Sequence, residues 1–477
     1  MHFKRLIFGS FFLGTILWNH QGYGQFSPYV AKILEYRPAP GQFINSAYGC
    51  PWASQSLVGG ISGMVSLGGF GGYLVVGFDH SIENHPDNPY GVDFTIFGNA
   101  NVYSSEPATV YVMKDDNRNQ LPDDTWYMLA GSGYYFTSAV HAYEITYVNP
   151  NSSVADDVPW ADNLGNEGFI LDNTFHTQPY YPLKDSFPDI SDSQYTLIGM
   201  KLQAQVDSTD PAFIVTRPYP FGFADNTPRN TSYQGWEPDN PYTAELEGTG
   251  GDGFDISWAV DSEDNSVDLD GIDFIKIQTS VNQQVGWLGE LSAEISGVVD
   301  VSPNPSITGK TQRLVLEPLF RNLEAGESVK LTTHLFKNGL PDNEAVVQFS
   351  VDDETLATVD ANGQLQTLQA GKIIVFAKND ERLLADSLEL TIQYPVSVAS
   401  DGVQNIVLYP NPAKDFIHTR FPNAIEAVRI TSMMGQTWEL ASENGTDYRL
   451  PQVGRGIYVV SYRVNQQWKS NKLIINP

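Results

Sequence analysis

From residue 25 to about residue 300 the apolar positions recur every second residue in short runs. They fall at Tyr73–Phe78, Val92–Phe97, Thr109–Met113, Trp126–Leu129, Tyr143–Val148, Leu197–Leu202, Phe254–Val260, Ile272–Gln278 and Leu288–Ile295. A two-residue period puts one face of a strand on a core and the other in solvent. Turn-rich stretches separate the runs, and no helix-period segment of useful length interrupts them. This pattern predicts an all-β chain of several β-sandwiches, the first of them large and jelly-roll-like. The glycine run Gly59–Gly72 lacks phosphate-loop spacing and a following G-K-[ST], so it reads as loop and strand bends.

Two of the runs, Thr109–Met113 and Trp126–Leu129, flank a loop dense in oxygen ligands and together read as a β-hairpin. The loop places Asp115, Asn117 and Asn119 at alternate positions, then Leu121, Asp123 and Asp124. So many carboxylates repel one another unless a cation sits among them. Calcium takes about six to eight hard oxygen ligands from side chains, carbonyls and water. Side-chain oxygens of Asp115, Asn117, Asn119 and Asp123, with the Leu121 carbonyl between them, make a candidate calcium set; Asp124 either adds a ligand or caps the return strand. The opening D-x-N-x-N matches an EF-hand-type loop, whereas Gln120 and Trp126 stand where its glycine and bidentate glutamate belong. The bland alternative is a solvated acidic turn. A second acidic stretch, Asp261, Glu263, Asp264, Asn265, Asp268 and Asp270, repeats the logic, although Asp270-Gly271 also reads as a turn.

Two long connections, 149–192 and 217–236, carry aromatic and amide side chains. Long loops on a rigid β scaffold commonly bind ligands, and aromatic faces with nearby amides suit sugar rings. His176, Gln178, Tyr180, Tyr181, Phe221 and Trp236 are therefore the candidate ligand contacts. The competing reading is that these rings pin the loops to the sandwich. No H-E-x-x-H, Cys/His cluster or G-x-S-x-G elbow is present. His80 and His85 read as members of a solvated loop. Carboxylates are abundant enough to supply a glycosidase-type pair, but no one pair stands out.

Charge narrows the partners. With 27 Lys+Arg against 56 Asp+Glu, a net of −29, the chain favours cations and disfavours nucleic acid and anionic membrane. Lys4 and Arg5, the apolar Leu6–Trp18 and the small residues of Gly22-Tyr23-Gly24 read as a secretory signal cleaved after Gly24. The apolar run is too short for a transmembrane anchor. No cysteine follows it, which argues against a lipoprotein. The single cysteine, Cys50, forms no internal disulfide and reads as a small buried hydrophobe.

Three resemblances complete the reading. SSEPATVYVMKDDNRNQLPDDTWYML, HTQPYYP and FDISWAVD…LDGIDFIKIQTSVN…GWLGELSAE resemble uncharacterised cell-surface proteins of Bacteroidetes, over most of residues 40–296. After the linker-like SPNPSITGK, Ala357-Thr358-Val359-Asp360, the tight turn Asn362-Gly363 and Ala370-Gly371 resemble a bacterial immunoglobulin-like domain of group 2. Leu408-Tyr409-Pro410-Asn411-Pro412-Ala413, Met433-Met434-Gly435-Gln436, Leu450-Pro451, Gly456–Val460 and Lys472–Ile475 resemble the C-terminal sorting domain of the type IX secretion system. The expected organisation is a signal at 1–24, a calcium-loop sandwich at 25–300, an Ig-like sandwich at 301–398 and a small sorting sandwich at 399–477. The expected protein is secreted and displayed at the cell surface, with type IX secretion machinery as partner and a glycan, a small nutrient or another surface as ligand. A secreted polysaccharide hydrolase and a purely structural adhesin are the alternatives.

Overall fold

The computed structural model describes residues 26–207, 213–319, 322–342, 346–394, 408–409, 413–419, 425–432, 436–442, 446–464 and 467–475. The signal segment at 1–24 lies outside them. Among the described residues strands dominate, accompanied by one four-residue helix, Pro51–Ser54, and a few 3-10 turns. The chain divides into two compact units between Gln393 and Tyr394.

The first unit is built on a two-layer antiparallel sandwich. One layer orders Lys32–Arg37, Tyr73–Glu83, Gly271–Thr279, Ala108–Met113, Tyr127–Leu129 and Ala259–Val260. The other orders Asp252–Phe254, Phe94–Gly98, Glu294–Asp300 and Val65–Ser66. Alternation does the work: Leu74, Val76, Val110, Val112, Ile275 and Ile277 face Phe94, Ile96, Ile295 and Val298 in one core. Each such side chain contributes about 1.5–3 kcal/mol on burial. The expected hairpin forms, with Tyr111 opposite Met128 and Val112 opposite Tyr127.

A third antiparallel sheet, Gln194–Lys201, Val140–Val148, Val158–Asp162 and Glu167–Ile170, has its own core of Phe70, Tyr143, Tyr147, Tyr195 and Leu197. Its last two strands lie inside what reads as a long loop, because VPWAD and EGFI are too short and irregular to show a period. The run at Leu288–Ile295 is also corrected: the strand is Glu294–Asp300. The preceding backbone bonds elsewhere instead, Leu291 N donating to Gln283 O. In the glycine run, a Cβ on Gly72 would lie 1.9 Å from the Leu67 carbonyl oxygen, so the close turn admits glycine alone.

From Gln312–Glu317 to Leu384–Gln393 short sheets enclose Leu314, Leu365, Ile373, Val375 and Leu390, as an Ig-like sandwich does. The stretch before it is not a slack tether. Asn304 N donates to Asp87 O, and Val315 and Phe336 enter the core of the large sandwich. The buried guanidinium of Arg313 donates to the carbonyls of Pro220, Pro241 and Thr243 at 2.6, 2.9 and 2.9 Å.

The second unit is a small sandwich in which Ala427–Ser432, Gly456–Val464 and Gln467–Ile475 pair in sequence around Val428, Ile430, Val460, Leu473 and Ile475. Pro410–Pro412 and Met433–Gly435 of the sorting motif lie outside the described residues.

Candidate metal centre

The hairpin loop closes on its own oxygens. Asp115 accepts from the backbone N–H of Asn119 at 3.0 Å and of Gln120 at 2.8 Å. The Asn117 and Asn119 side chains accept from Asn119 N and Leu121 N. Asp123 receives the amides of both asparagines at 3.0–3.1 Å, and Asp124 that of Asn117 at 3.3 Å. The six sequence-derived positions thus share one exposed loop, and five of them bring side-chain oxygens or amides together. Gln120 takes φ +63°, the left-handed conformation that glycine supplies in the EF-hand-type loop. The loop is anchored by Asp115 N on Asp273 and by a Lys114–Asp270 ion pair. That pair occupies Asp270 of the second acidic stretch. There Asp261 caps its own turn, accepting from Glu263 N and Asn265 N.

The aromatic loops do not assemble as a binding face. Tyr180 and Tyr181 are 1% and 2% exposed, under the third sheet. Their hydroxyls are spent inside, Tyr180 accepting from Asn173 N and Tyr181 donating to Ser191 O. Phe221 is buried in a different core, against Trp258 and Phe336. Gln178 donates to the carbonyls of Gln42 and Ile44, and His176 sits edge-on to Phe43. Trp236 alone of the six is well exposed, at 64%, edge-on to Tyr29. The loops are long because they wrap a core, and Tyr180, Tyr181 and Phe221 serve its packing.

His80 is not in a solvated loop. It lies on strand Tyr73–Glu83, with Nδ1 2.7 Å from Asp79 and Nε2 3.0 Å from Asp300. Burial works against the imidazolium, but the two carboxylates outweigh it and raise its pKa. Nearby, a cleft of about 820 Å³ lined in part by His85, Asn88, Tyr90, Asp255 and Asp268 opens where the large sandwich meets residues 305–340.

The cluster that sequence reading missed is mostly interior, with Glu106 half-buried at its edge. Glu106, Asp225 and Glu294 each offer an oxygen within 4.8 Å of the others. Asp225 and Glu294 are 0% and 3% exposed. Burial first, and then their mutual repulsion, hold Glu106 and Asp225 well above the usual carboxylate range. The available signal was phase: Glu290, Ser292 and Glu294 occupy alternate positions and are all buried, where a sandwich expects apolar residues.

Residues 407–476 match the family of the secretion system C-terminal sorting domain. The chain carries an export address. The domain directs the protein to the cell surface or beyond it, as type IX substrates are directed. No curated protein matches the chain. Among solved structures, domains 4 and 5 of the S-layer protein SbsC share 13% identity, covering 35% of this chain and 97% of that one at a TM-score of 0.17. A longer SbsC fragment, residues 31–844, shares 10% identity over 87% of this chain and 53% of that one, at 0.18. The Bacteroides ovatus mixed-linkage glucan utilization locus protein SGBP-B, solved with a mixed-linkage heptasaccharide, shares 12% over 34% of this chain and 47% of that one, at 0.15.

Proposed function

We propose that this chain is a surface-displayed binding or adhesion protein, carried across the outer membrane by the type IX secretion machinery and stabilised outside the cell by calcium at the 115–124 loop. The sorting-domain match at 407–476 carries the reading. The all-β build and the net charge of −29 agree with a life outside the cell. Among the described residues no helix is long and apolar enough to cross a membrane. Carboxylates of Asp87, Asp255, Asp268 and Asp270 line the 820 Å³ cleft, so its lining does not by itself favour binding over hydrolysis. That cleft has room for a small ligand or a sugar, within the range of about 300–1,000 Å³ usual for such sites.

Deleting residues 404–477 in a type IX-competent host should leave the remainder folded and held in the periplasm. Surface labelling and cell fractionation read the outcome, and normal display of the truncated chain would refute the export reading. For the hairpin, extracellular calcium modules bind at roughly 10⁻⁴–10⁻³ M. Millimolar calcium should then add about 0.5–1.5 kcal/mol through this loop, a shift of a few degrees at most in a unit of this size. Asp115→Ala should remove that share of the calcium response. A wild-type melting curve indifferent to both calcium and chelator would reduce the loop to an acidic turn.

A further inference from the structure

We propose that Glu106, Asp225 and Glu294 hold a divalent cation, calcium by its donor chemistry, inside the large sandwich and independently of the hairpin loop. The three donors are carboxylate oxygens within 4.8 Å of one another. Calcium sits about 2.4 Å from each ligand oxygen, so one ion can bridge oxygens separated by up to about twice that distance. All-oxygen coordination is the preference of a hard cation rather than of zinc or copper.

The surroundings lack the positive charge such a group needs. Among the described residues no Lys, Arg or His forms an ion pair with any of the three. A fourth carboxylate sharpens the deficit. Glu290, 2% exposed, lies on the same inward alternation as Glu294; its charge bears on Glu106, and that of Glu294 bears on it. Its Oε1 accepts from Gln42 N at 2.6 Å, but its buried Oε2 has no partner. A buried, unpartnered oxygen within electrostatic reach of Glu106 and Glu294 is costly unless a cation or a proton answers it.

The supporting groups suit ligands rather than a salt bridge. Asp225 is fixed by the N–H groups of Asn99, Ala100 and Glu294, each at 2.9 Å. Glu294 is oriented by the Ser292 hydroxyl at 2.8 Å and the Asn99 amide at 3.0 Å. Outer hydrogen bonds of this kind aim metal ligands. The ion would staple three segments far apart in sequence: the turn before Ala108–Met113, the connection at 221–226 and the start of Glu294–Asp300.

The test uses the full mature chain carrying Asp115→Ala and Asn119→Ala, which disables the hairpin. After dialysis into calcium-free buffer and titration with calcium, elemental analysis should find one ion per chain, with a rise in melting temperature. Adding Glu294→Gln should weaken that binding by about tenfold or more. Should Glu294→Gln fail to fold, Glu106→Gln decides. It removes a buried repulsion, so it should raise the melting temperature in chelator while shrinking the rise that calcium produces. No ion bound to the hairpin-disabled chain, or an ion count and calcium response that both ignore Glu106→Gln, overturns the proposal and leaves a proton shared between Glu106 and Glu294. If wild type and the hairpin-disabled chain bind equally, the hairpin reading fails and this one stands.

Discussion

Replacing Tyr180 and Tyr181 together with Ala should unfold the first unit, whereas Trp236→Ala should leave its stability nearly unchanged. Tyr180 and Tyr181 fill the core beneath the third sheet, and Tyr181 packs edge-on against Tyr195 at 5.5 Å. Truncating one buried aromatic costs about 3–5 kcal/mol through lost transfer energy and the cavity left behind. Each truncation here also strands a partner, the Asn173 N–H in one case and the Ser191 carbonyl in the other. Two such losses are comparable with the roughly 5–15 kcal/mol that stabilises a typical protein, so urea unfolding of the double variant should begin in water. A double variant that melts like wild type would mean the rings are dispensable and would restore them as candidate contacts.

The second large effect is one of pH. In chelator three buried carboxyls should cost the protein several kcal/mol of stability between about pH 4 and pH 8. Burial, with the Asp255 charge adding to it, pushes Asp93 up to about 7, and burial pushes Asp252 to about 7 and Asp255 to about 6. Asp93 rises although three N–H donors, from His85, Asn88 and Ile256, favour its charged form. Unfolded, these groups titrate near pH 3.9. The folded chain therefore holds extra protons between about pH 4 and pH 7. The stability they give is complete below about pH 4 and is lost as pH rises through the folded values. Surface repulsion in so acidic a chain slopes the same way, but salt screens it and leaves buried groups largely untouched. Thermal melts across this range at 0.3 M NaCl separate the two. A flat profile there would mean that the three carboxyls ionise freely in the folded state.

Alternation made most of the scaffold legible, because strands such as Ala108–Met113 and Gly271–Thr279 bury every second side chain or more. The hairpin loop was equally readable, since all of its oxygens lie within ten residues of one another and need no tertiary contact to meet. The third sheet was not. Its strands are short, and its core is completed by Tyr180, Tyr181, Phe187 and Ile190, from a connection with no period of its own. That is why rings that read as a binding face proved to be packing. The Glu106–Asp225–Glu294 cluster was hidden for the opposite reason. Its members are separated by more than a hundred residues and by about seventy, so only the folded sandwich joins them.

The way the Ig-like sandwich is seated bears on how this protein could act at a distance. A swinging module must surrender orientational freedom each time its neighbour grips a target, and that loss is subtracted from affinity. Here Phe336 lies in the same core as Phe221, and the Arg313 guanidinium is locked onto three carbonyls of the neighbouring loops. The freedom is already gone before any encounter. Tension applied through the Ig-like sandwich would reach the large sandwich through these shared contacts rather than through a slack tether.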